Sequence, residues 1–167
     1  KQHKNILDIG CNDGSLLNFF KKFNSNTIGI EPTSAAKDAN NKKHFIIQEY
    51  FNEKSVKILK KKYNKIDIIT FTNVFAHIDN FKELIVNLKK IINNDTLIII
   101  ENHYLGSILK KKQFDTFYHE HPRTYSLKSF LHIAKLLDME VIDYSMPKRY
   151  GGNIRVFLKK NEKKKQK

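Results

Sequence analysis

Cysteine is almost missing: Cys11 is the only one in 167 residues. One thiol cannot build an intrachain disulfide framework or a paired-cysteine metal knuckle, and such usage suits a reducing compartment such as the cytoplasm. Arginine is scarce too. Lys plus Arg number 31 against 17 Asp plus Glu, a net charge of +14, yet Arg123, Arg149 and Arg155 are the only arginines. Nucleic-acid readers enrich Arg, whose planar fork binds phosphate and guanine bidentately. Here 28 Lys, 17 Asn and 21 Ile dominate instead, residues whose codons are rich in A and T. The charge therefore reads as compositional bias with lysines on solvated faces, and no nucleic-acid partner is expected. Long apolar runs are also missing. The stretch 97–100 is typical and far too short to span a bilayer, so no membrane partner is expected. No signal-peptide pattern is visible.

What is present is alternation. Short apolar runs at 5–10, 27–31, 45–50, 65–72, 96–101, 140–145 and 153–158 predict strands. Helical spacing predicts helices over 15–23, 33–43, 53–63, 80–92 and 126–137, with Asp13 or Ser15 capping the first. The run 96–101 is nearly all apolar, as suits a parallel strand covered on both faces. Residues 102–125 read as a long irregular stretch dense in aromatic and titratable groups. Strands alternating with helices predict a doubly wound α/β sheet, in which ligands bind beyond the carboxyl ends of the strands. One domain is expected over 1–158, followed by a charged, frayed tail at 159–167.

The unusual residues follow strands. The first turn reads Asp8-Ile-Gly10-Cys-Asn12-Asp13-Gly14-Ser15. A dinucleotide fingerprint needs GxGxxG with small residues that admit a pyrophosphate. This turn has GxxxG with acids at 8 and 13, which would repel a pyrophosphate and suit an ammonium or sulfonium. Glu31, at the end of the second strand, is placed to accept from two ribose hydroxyls. With the strand order, these residues resemble the class I S-adenosylmethionine (SAM) methyltransferases. The resemblance implies a Rossmann-like sheet of seven strands with an antiparallel last strand, and SAM as cofactor.

Further motifs follow: Asn73-Val-Phe-Ala-His77, Glu101-Asn-His103-Tyr104, Phe114-Asp-Thr-Phe-Tyr118-His119-Glu120-His121 and Gly151-Gly152-Asn-Ile-Arg155. Three titratable groups and a tyrosine within four residues would need compensation if buried together, so they predict a functional cleft. Read together, these stretches resemble the sugar C-methyltransferases, which methylate a carbon of a nucleotide-linked keto-deoxysugar. The resemblance spans residues 6–158.

It implies that Asp8, Gly10, Asn12, Gly14 and Glu31 hold SAM, and that Asn73 lies on the turn facing the methyl group and sugar. His121 would be the general base, with Tyr118, Glu120 and His77 beside it. Histidine suits that role because its unperturbed pKa lies near neutrality. Its expected partner is a small molecule, a nucleotide-sugar. Members of that family carry an N-terminal zinc domain with paired cysteines and a further C-terminal domain. Neither pattern is in this sequence, so it reads as a core cut from a longer protein or as a stand-alone relative.

Alternatives stay open at this level. His119 and His121 could be metal ligands, although no cysteine or second carboxylate cluster completes a site, and none is expected. His77 could cap the helix that begins near residue 79 or 80. His103 and Tyr104 could be plain cleft walls. The chain could methylate an oxygen or nitrogen of another small molecule, or bind SAM without turnover.

Overall fold

The computed structural model describes residues 4–117, 119 and 121–161. Within them, one sheet holds β1 (Asn5–Ile9), β2 (Asn26–Ile30), β3 (Phe45–Ile47), β4 (Ile68–Thr72), β5 (Leu97–His103), β6 (Glu140–Ser145) and β7 (Asn153–Lys159). The strand order is β3-β2-β1-β4-β5-β7-β6. The first five strands are parallel, and β7 runs antiparallel to both β5 and β6. The helices are α1 (Ser15–Lys21), α2 (Ala36–Asn41), α3 (Glu53–Lys62), α4 (Phe81–Ile91), α5 (Leu105–Lys111) and α6 (Leu127–Leu136). This is the expected doubly wound sheet with an antiparallel last strand.

The inner strands are buried because their apolar residues are continuous rather than alternating. Ile6, Leu7 and Ile9 of β1, Ile69 and Phe71 of β4, and Ile98 and Ile100 of β5 are all buried. Val56 and Leu59 of α3, Leu84 and Leu88 of α4, and Phe130 and Ile133 of α6 complete the main core. Cys11, Leu17 and Ala39 form a smaller cluster with Ile46 packed against it. Helix starts are chemically marked. The Asn52 side chain accepts from Ser55 N–H while Ser55 Oγ accepts from Asn52 N–H, and Ser126 and Ser129 repeat that box at α6.

Several elements differ from the sequence expectation. The irregular stretch is partly ordered: β5 runs on to His103, α5 follows, and a single 3-10 turn covers Phe114–Thr116. Helix α5 is seven residues long and buries only Ile108, so it carries no readable periodicity. The third strand stops at Ile47, and α2 spans only Ala36–Asn41. Gly14, rather than Asp13 or Ser15, occupies the N-cap position of α1, at φ 77, where a Cβ would meet Ala39 and His44; Asp13, one residue earlier, accepts from the first helical N–H, that of Ser15, at 3.1 Å. Strand β7 reaches Lys159, one residue into the expected tail, and 162–167 lie outside the described residues. Among the described residues no helix is long and apolar enough to cross a membrane.

The sheet positions the site. From β1 the chain moves outward through β2 and β3, then returns to add β4 and β5 on the other side. The order reverses between β1 and β4, and the crevice beyond their carboxyl ends is where such sheets bind ligands.

Candidate active site

The turn after β1 is built around left-handed backbone. Gly10, Asn12 and Gly14 have φ of 73, 50 and 77°, values that favour glycine and are tolerated by asparagine. The N–H groups of Gly10 and Cys11 both donate to Ile30 O, at 2.8 and 3.2 Å, which ties the turn to the end of β2. A Cβ on Gly10 would lie 2.3 Å from Val74 Cγ2. The turns after β1 and β4 therefore abut, and glycine is required by both conformation and space.

Two buried acids sit under this turn. Glu31 is 6% exposed; its Oε2 accepts from Asn12 N–H at 2.9 Å, and Oε1 accepts from the N–H and hydroxyl of Thr33 at 3.0 and 2.7 Å. Asp8 is 2% exposed and accepts from the Thr70 hydroxyl at 2.7 Å. Burial pushes the Asp8 carboxyl up to about 7; the Thr70 hydrogen bond opposes this and the charge of Glu31 adds to it. Among the described residues neither acid has an ion-pair partner.

Asp13, read from sequence as a second acid facing the ligand, is engaged elsewhere. Its Oδ2 lies 2.7 Å from Lys42 Nζ and accepts from the Ser15 hydroxyl, and these contacts hold it at about 2. Burial and the charges of Asp8 and Glu31 push the Cys11 thiol up to about 12, which keeps it an inert thiol.

The second cluster is imidazole-rich. His77 ends the 3-10 turn Phe75–His77 after β4, His103 ends β5, and His121 lies on the loop before α6. The His121 ring centroid is 4.6 Å from that of His77 and 5.7 Å from that of His103; the Tyr150 ring lies 5.9 Å beyond His103. His121 Nδ1 donates to Thr116 O at 3.1 Å, since a carbonyl oxygen only accepts. Burial and the imidazole of His121, with a smaller contribution from His77, hold His103 below the ordinary imidazole range; Asp115 opposes them. His77 does not cap α4: the Asn80 side chain does, accepting from Glu83 N–H.

The loop is tied to the turn that carries His77. Arg123 donates to Ile78 O and to Asp79 O, and the buried Tyr125 hydroxyl donates to Phe75 O at 3.2 Å. Tyr118 and Glu120, named from sequence beside the base, lie outside the described residues. His119 is exposed. Among the described residues no three His, Cys, Asp or Glu side chains are grouped to hold a metal ion.

A third group was not legible in the sequence. Asn73, at φ 55, donates its N–H to Glu101 O at 2.8 Å and accepts from Asn153 Nδ2 at 3.1 Å. Glu101 is 3% exposed and also accepts from Asn153 Nδ2, at 3.0 Å, and from Arg155 Nε, at 2.8 Å. All four residues stand in motifs singled out from sequence; what the sequence did not show is that they meet.

A family profile described as a methyltransferase domain matches residues 1–144, most of the chain. The chain belongs to that family. A curated relative, the C-methyltransferase NovU of Streptomyces niveus, is 27% identical over 153 residues. The match covers 91% of this chain, which spans about a third (36%) of that protein's length. Among solved structures, the magnesium protoporphyrin IX methyltransferase ChlM of Synechocystis PCC 6803 with bound SAH superposes with a TM-score of 0.72 at 14% identity, covering 95% of this chain and 75% of that one. A SAM-dependent methyltransferase of Archaeoglobus fulgidus gives 0.73 at 15% identity, covering 96% and 87%. The fold is that of the class I SAM-dependent methyltransferases.

The family's methyl donor is S-adenosylmethionine, and the donor set here fits it. SAM carries an ammonium and a sulfonium, and this crevice offers two buried carboxyl groups that, among the described residues, have no cation of the protein's own beside them. The left-handed turn over them keeps the backbone close to the crevice without side-chain bulk at Gly10 and Gly14.

Proposed function

We propose that this methyltransferase acts on a carbon of a nucleotide-linked 4-keto-deoxysugar, through an enolate, with His121 as general base. The observation that supports the reading is the placement of His121, whose Nδ1 donates to Thr116 O and whose ring is flanked by those of His77 and His103. The 27% identity to a protein named a C-methyltransferase supports carbon as the target.

Asp8, Gly10, Asn12, Gly14, Glu31 and the Asn73 turn form the cofactor side. Glu31, buried at the end of β2, accepts from ribose hydroxyls in exchange for its contacts to Thr33. When bound, SAM supplies an electrophilic methyl group. The chain's own residues do the rest. His121 removes the proton alpha to the ketone, the C–H pair forms the enolate, and the enolate carbon becomes the nucleophile. His77 and His103 flank the base on two sides.

Calorimetry with SAM, together with turnover of a TDP-linked 4-keto-6-deoxyhexose, tests the reading. The expected result is SAM binding by both wild type and His121→Asn, with turnover only in the wild type. Equal turnover in both removes His121 as the base.

A further inference from the structure

The polar group joining β4, β5 and β7 has a direction built into it. Glu101 faces Arg155 across the antiparallel ladder. Arg155 Nε and Nη2 both reach Glu101 Oε2, at 2.8 and 2.6 Å. The other oxygen, Oε1, accepts from Asn153 Nδ2 at 3.0 Å. A carboxylate only accepts, so the nitrogen of the Asn153 amide must face it. That same nitrogen reaches Asn73 Oδ1 at 3.1 Å. The Asn73 amide is therefore set with its oxygen toward Asn153 and its nitrogen turned away. The setting persists although Asn153 Oδ1 is buried without a partner, so the pull of Glu101 outweighs that cost. Among the described residues no acceptor is bonded to Asn73 Nδ2. Val74, the next residue, packs on Gly10, which puts Asn73 at the crevice between β1 and β4.

We propose that Glu101, Arg155 and Asn153 are positioning residues that hold the Asn73 amide as a hydrogen-bond donor to the substrate oxygen on which negative charge develops. This rests on the enolate reading above. As His121 takes the alpha proton, the C–H pair becomes the carbon–carbon double bond and the carbonyl π pair moves onto oxygen; His121 gains one positive charge and the oxygen one negative. A preset N–H donor at that oxygen lowers the barrier without reorganising. Arg155 offsets the charge of Glu101, so the donor is not opposed by a bare buried anion.

Exchange of the alpha proton in D2O, followed by NMR on a TDP-linked 4-keto-6-deoxyhexose with SAH present, reads enolate formation apart from methyl transfer. Asn73→Asp keeps a residue that tolerates positive φ and keeps an oxygen facing Asn153, but removes the donor. It is expected to lower kcat for both exchange and methylation by roughly 10²-fold, with KM for the sugar within about threefold. Arg155→Met should lower kcat in the same pattern, and Arg155→Lys should recover most of it. These arginine variants carry the test if Asn73→Asp melts below the assay temperature. Wild-type kcat in Asn73→Asp, or in Arg155→Met, overturns the inference, as does a loss confined to the SAM Kd. A wild-type protein that binds SAM yet neither exchanges nor methylates removes the enolate reading itself, and this inference with it.

Discussion

A carboxyl buried as Asp8 is leaves a signature in stability against pH. Its folded pKa is raised from 3.8 to about 7, so between those values the folded state holds a proton that the unfolded state has lost. The stabilising contribution is complete below pH 3.8 and is lost as pH rises through about 7. Asp8→Asn keeps the oxygen that accepts from Thr70 and removes the ionisation. In urea unfolding without ligand, this variant should gain on the order of 2–4 kcal/mol over wild type at about pH 8 and nothing near pH 3. A gain independent of pH would mean that Asp8 is not a strained acid. Gly10 gives a second prediction. Gly10→Ala meets both a φ of 73° and Val74, and should cost on the order of 2 kcal/mol and weaken SAM binding. Adding Val74→Ala should recover only the steric part, since the backbone conformation remains wrong for alanine.

The elements explain what could and could not be read in advance. The inner strands of the sheet were legible because burial on both faces leaves runs such as Ile98 to Ile100, and the helices that cover them show apolar spacing. Helix α5 was not, since Leu105–Lys111 buries one side chain. The left-handed turn at Gly10, Asn12 and Gly14, and the buried Glu31, could be picked out because they are adjacent to strand ends in sequence. The Asn73–Asn153–Glu101–Arg155 group was not, because it forms only through the antiparallel register that sets Glu101 opposite Arg155, 54 positions away. His103, read as a plain wall, joins the imidazole cluster for the same reason: β5 and the loop before α6 meet only in the folded chain. Helix ends behave locally. Ser126→Ala removes the acceptor for Ser129 N–H and should cost about 1 kcal/mol in thermal or urea unfolding; a neutral result would mean that α6 is held by packing alone.

At the scale of the molecule, the crevice between β1 and β4 brings the buried acids to one side and the imidazoles to the other. The net charge of +14 would favour approach of an anionic substrate such as the proposed nucleotide-sugar. The rate at low substrate should therefore fall as salt rises, while duplex DNA should bind weakly at physiological salt; tight DNA binding with a steep salt slope would overturn the reading of the charge. On the proposed reading, methyl transfer is to carbon. Incubation with SAM labelled with 13C in its methyl group and a TDP-linked 4-keto-6-deoxyhexose tests it most directly. The expected product carries a labelled methyl bonded to a ring carbon, coupled to that carbon's neighbours and retained through ether cleavage. A labelled methyl on oxygen or nitrogen, released by that cleavage, would contradict it.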